Sequence, residues 1–140
     1  GFGVHTLLSI IRSFHGLYKN FIFVSVAEVD VGSFKGSDAV SSLETSVGGS
    51  LKKYVDLARK LGFAADFKYD LGTDIAQTAS RLIESIVKKY PDSTVFAGQS
   101  VFRQPNILHR ILHNETAFAI QRELRWKGIT TVILPIRINI

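Results

Sequence analysis

The chain has no cysteine, no methionine, three prolines and a single tryptophan in 140 residues. Without thiols there is no disulfide framework, no thiolate ligand for zinc and no cysteine nucleophile, which suits a reducing compartment. Long hydrophobic runs are missing too. The two most apolar stretches, "FIFVSVAEV" at 21–29 and "TTVILPIRI" at 130–138, are strand length and well short of the roughly 20 residues a membrane helix needs. The opening "GVHTLLSIIRSFHG" alternates apolar and polar residues at helical spacing, so it does not read as a signal peptide. No G-x-G-x-x-G and no P-loop occurs anywhere. Acidic residues are outnumbered 12 to 17, giving a charge of +5 spread without any run of Lys or Arg. That excludes the basic stripe interleaved with aromatics that marks nucleic-acid binders, so no nucleic-acid partner is expected. A mildly basic surface suits an anionic membrane face equally well.

What is present is an alternation of helical and extended patterns across one domain-sized chain of 46% hydrophobic residues. Leu7, Leu8, Ile10, Ile11 and Phe14 form a helical stripe that ends at His15-Gly16. "NFIFVSVAEV" reads as a strand covered on both faces. The Gly- and Ser-rich loop "DVGSFKGSD" leads to Ser37 or Asp38 as a cap for a long helix ending at Gly62, whose apolar stripe is Leu43, Val47, Leu51, Tyr54, Val55, Ala58 and Leu61. Gly48-Gly49 interrupts that helix, and close packing is the expected reason. "AADFKYDL" alternates like an edge strand. "GTD" places Asp74 as the cap of a third helix ending at Pro91, and "STVFAGQS" is a third strand. Asn114, followed by Glu115, is expected to cap a last helix, "NETAFAIQRELRWKG", before the final strand "TTVILPIRI". This order predicts an α/β three-layer sandwich with a mostly parallel sheet in strand order 2-1-3-4. The ligand crevice of such a sheet lies where the winding reverses, between strands one and three.

Few residues there suit chemistry. A phosphate site needs successive free backbone N–H groups at a helix start, and around Gly98, Gln99 and Ser100 only one glycine is available. Those three mark a vestigial crevice, with no cofactor expected. Ser100 lacks the nucleophile elbow, and no catalytic residue is expected. His109 and His113 stand four apart on one helical face, the spacing of metal ligands, but no H-E-x-x-H pattern accompanies them and no metal is expected. Arg103, His109, Arg110 and His113 instead form a flank fit for a partner. Trp126, between Arg125 and Lys127, is either a core anchor or an exposed interface residue.

The blocks "GVHTLLSIIRSF", "NFIFVSVAEVD", "LGTD", "FAGQSVF", "LHNETAFAIQREL" and "TVILPIRI" resemble the cytoplasmic C-terminal domain of permeases of the amino acid, polyamine and organocation superfamily. That group includes cation-chloride cotransporters. The organisation resembles the universal stress protein fold, a Rossmann-like layout. Nucleotide-binding members carry G-x2-G-x9-G-[ST] after the corresponding strand. Here Gly98 stands at the first position, Val101 replaces the second glycine, and the final Gly-Ser or Gly-Thr pair is absent. In that fold a further strand precedes the first helix, so the resemblance implies that the chain lacks one central strand. It also implies a non-catalytic regulatory or interaction domain, residues 1–140, belonging to a larger membrane transporter. Its place would be the cytoplasmic side of the cell membrane. The implied partners are the transmembrane domain of the same transporter and a second copy. A soluble nucleotide-binding stress protein and a hydrolase on the same sheet are the rival readings.

Overall fold

The computed structural model describes the backbone of residues 2–28, 37–102 and 107–138, with side chains for 3–27, 41, 42, 44–98 and 116–134. Four helices alternate with four strands: α1 (Phe2–Ser13), β1 (Asn20–Glu28), α2 (Ser37–Lys60), β2 (Ala64–Gly72), α3 (Ile75–Lys89), β3 (Val95–Phe102), α4 (Ile107–Trp126) and β4 (Thr131–Ile138). The class is α/β. The chain divides into two compact units, residues 16–83 and residues 1–15 with 84–140.

In the unit of residues 16–83, β1 and β2 run parallel in register from Asn20 opposite Ala64 to Glu28 opposite Gly72. Parallel neighbours need a crossover, and α2 supplies it, packing on both strands. It buries Leu51, Val55 and Ala58, three positions of the stripe read from the sequence. Tyr54 of the same stripe lies against Phe23, 5.8 Å between ring centroids. The helix stops at Gly62, whose φ of 94° is open to glycine without penalty. The Phe63 N–H donates to the Ala58 carbonyl at 3.0 Å and the Gly62 N–H to that of Arg59 at 3.0 Å, the paired bonds of a Schellman cap. On β2, exposed and half-buried residues alternate from Ala64 to Leu71, as expected of a strand with one wet face. Leu61, assigned to the buried stripe by its spacing, is exposed, because the helix has already ended there. Gly48-Gly49 also differs from expectation. The helix runs through both, and a methyl group added at either would meet nothing within 4 Å. Close packing among the described residues therefore does not explain the pair.

The other unit holds α1, the end of α3, β3, α4 and β4. Its sheet is again a parallel pair, Val95 opposite Thr131 through to Phe102 opposite Ile138. Helices α1 and α4 both contact the two strands. α1 buries Leu7 and Ile10, and α4 buries Ala117 and Leu124. Phe14, just past α1, packs its ring on Phe96 at 5.4 Å. The Schellman device recurs after α4, where Gly128 has φ 72°. The Ile129 N–H donates to the Leu124 carbonyl and the Gly128 N–H to that of Arg125. β4 carries Pro135 and lies at a sheet edge, where a residue without an N–H is tolerated.

Two corrections to the sequence reading follow. The strands form two separate two-stranded sheets, β1–β2 and β3–β4, in place of one sheet in the order 2-1-3-4. Each unit holds one outer pairing of that order, and the helix between its two strands allows them to run parallel. Second, α4 begins at Ile107, so Asn114 is a helix-interior residue and not a cap. The apolar pairs Ile107-Leu108 and Ile111-Leu112, four residues apart, carry the helical pattern through His109 and Arg110.

Candidate functional site

The strand ends come first, because ligands of open α/β sheets bind there. Gly98, Gln99 and Ser100 all lie within β3, opposite Leu134, Pro135 and Ile136 of β4. Successive N–H groups of an extended strand point to opposite sides, so these three cannot converge on a phosphate. Arg103 lies outside the described residues. His109, Arg110 and His113 fall in the first two turns of α4, and their side chains lie outside the described set. Trp126 is the last residue of α4 and is 81% exposed, which decides between the two sequence readings in favour of a surface position. Among the described residues no three His, Asp or Glu side chains gather as a metal shell, and no helix is long and apolar enough to cross a membrane.

The start of α3 is ordered as its sequence suggests. Asp74 Oδ1 accepts the Gln77 N–H at 3.0 Å and the Asp74 carbonyl accepts that of Thr78, which satisfies donors every helix start leaves free. A carboxylate on this helix end occupies the place an anionic ligand would need. Sequence reasoning missed what lies behind it. Thr78 and Ser80 are buried, and neither hydroxyl finds a hydrogen-bond partner among the described residues. Gly72 faces Thr78 so closely that a Cβ there would overlap Thr78 Oγ1 and lie 3.0 Å from both its Cβ and Cγ2.

At the other end of α3, Glu84 joins two helices. Its Oε2 accepts from Lys127 Nζ at 2.8 Å and its Oε1 lies 3.5 Å from Lys88 Nζ. The Lys88 contact is legible as an i,i+4 pair. The Lys127 contact is not, since it depends on where α4 ends. The hydrogen bond from Lys127 and its charge, helped by Lys88 and opposed by partial desolvation, hold the Glu84 carboxyl below the usual glutamate range. A folded-state value below the unfolded one stabilises the fold at pH above the unfolded value, and the effect is lost as pH falls through the lowered value. Glu84→Gln should therefore lower the melting midpoint at neutral pH, and the gap from the parent should close in acid. A gap independent of pH in a series of thermal melts would show that the charge is not responsible.

Comparison with protein-family models, curated proteins and solved structures finds no match to this chain.

Proposed function

We propose that this chain is a non-catalytic cytoplasmic domain that regulates or stabilises a membrane transporter of the amino acid, polyamine and organocation type, through contact with the transmembrane part or a second copy. The observation that carries the reading is the correspondence between the blocks of sequence resemblance and the elements. "GVHTLLSIIRSF" covers α1, "NFIFVSVAEVD" β1, "LGTD" the turn into α3, "FAGQSVF" β3, "LHNETAFAIQREL" most of α4 and "TVILPIRI" β4. The finer fold assignment, universal-stress-protein-like with one central strand lying outside the chain, rests on the sequence resemblance and is compatible with the parallel pairing of β1 with β2 and of β3 with β4. The position of Gly98 inside the β3 ladder weighs against the nucleotide-binding alternative.

Reading the coding sequence upstream of Gly1 tests the proposal. The expected result is a series of apolar segments of about 20 residues each. A start codon directly upstream, with no such segment, overturns it and favours a soluble protein.

A further inference from the structure

The shared Glu84 carboxylate brings the ends of α3 and α4 together within one unit, and the residues beside it are of one kind. On the α3 side stand Lys88, Lys89 and Tyr90, with the Lys89 ammonium 5.5 Å from the Tyr90 ring centre. On the α4 side stand Arg125, Trp126 and Lys127. All six are exposed, Tyr90 by 47% and Trp126 by 81%. Four cations outnumber the three carboxylates that flank them in sequence or pair with them, Glu84, Asp92 and Glu123, and Glu84 is already divided between two ammonium groups. Cations in a last helical turn complement the helix dipole, which accounts for Lys88, Lys89 and Arg125. It does not account for a tryptophan and a tyrosine held in water beside them.

We infer that this basic and aromatic cluster docks the chain on an anionic lipid surface. Tryptophan and tyrosine favour the headgroup level of a bilayer, where one end of the ring is apolar and the other wet. Each Lys or Arg near an anionic surface strengthens binding about fivefold. A peptide laid in a groove needs walls around its anchor residues, and a tryptophan four-fifths exposed stands clear of any groove wall. The inference uses only this cluster and does not depend on the transporter reading.

Trp126 is the single tryptophan, so its emission reports on the cluster directly. With vesicles of equal parts phosphatidylcholine and phosphatidylserine, the emission should move to shorter wavelength and the chain should sediment with the vesicles. Phosphatidylcholine alone should give neither effect, and high salt should reverse both. Lys89→Glu with Arg125→Glu should weaken binding about tenfold or more. Lys52→Glu with Lys53→Glu, the same charge change at exposed sites on α2, should bind like the parent. No shift with the mixed vesicles, equal binding to neutral ones, or equal weakening by the two charge-reversed variants overturns the inference. So does an equal shift with soluble polyglutamate, which would point to an acidic protein partner. None of these outcomes bears on what precedes Gly1, so the two proposals fail separately.

Discussion

Leu124→Ala should destabilise the protein by about 2–5 kcal/mol, the usual range for emptying a fully enclosed leucine site. The Leu124 side chain is 0% exposed and lies one turn before the α4 cap, where its carbonyl accepts the N–H groups of both Lys127 and Ile129. Truncation spares those backbone bonds and removes only packing, so the loss reports the cavity. Against a typical total stability of about 5–15 kcal/mol, it is large enough to move a urea midpoint clearly. Leu124→Met, which nearly conserves volume, should lose less than about 1.5 kcal/mol. Leu8→Ala, at a site 43% exposed on α1, should lose less than Leu124→Ala by a wide margin. Equal losses at Leu8 and Leu124 would mean that α4 does not carry the core as described.

The second large effect is expected at Gly72, and for a different reason. Its backbone needs no left-handed conformation, so the constraint is steric. Gly72→Ala drives a methyl group into Thr78, and overpacking of this kind destabilises by about 1–3 kcal/mol. Thr78→Ala removes both Oγ1 and Cγ2 and so relieves most of the overlap. On its own it loses a methyl group worth about 0.8 kcal/mol, while removing a buried hydroxyl without a partner, which recovers about 1–3 kcal/mol. The single variant should be neutral or stabilising. In combination the two should be non-additive by about 1 kcal/mol or more in a double-mutant cycle. A simple sum of the two single effects would remove the contact from the account.

Much of the architecture is local physics and could be read from the chain. The stripe of Leu51, Val55 and Ala58 identifies the buried face of α2, Gly62 stands in the left-handed turn the sequence assigns it, and Asp74 caps α3. What failed depends on competition or distance. Asn114 has a high capping propensity, but the isoleucines and leucines from Ile107 onward start the helix seven residues earlier, and propensity yields to the apolar pattern. The burial of Thr78 and Ser80 contradicts their polarity and could be seen only once α3 was placed. The interface candidates divide in the same way. Trp126 gains an exposed position from the fold, whereas the clustering of Arg103, His109, Arg110 and His113 in one short segment says nothing of what they face.

The α1 helix has a consequence in time. Residues 16–83 form a continuous unit that can be completed while the rest of the chain is still being made, but α1 belongs with β3 and β4. At about 5–20 residues per second, roughly 6–24 s separate the emergence of Ser13 from that of Thr131, where β4 begins. Throughout that interval Leu7 and Ile10, buried in the finished fold, lack the complete strand pair that covers them. A nascent chain stalled before β4 should present this apolar face to whatever binds unfolded segments at the ribosome.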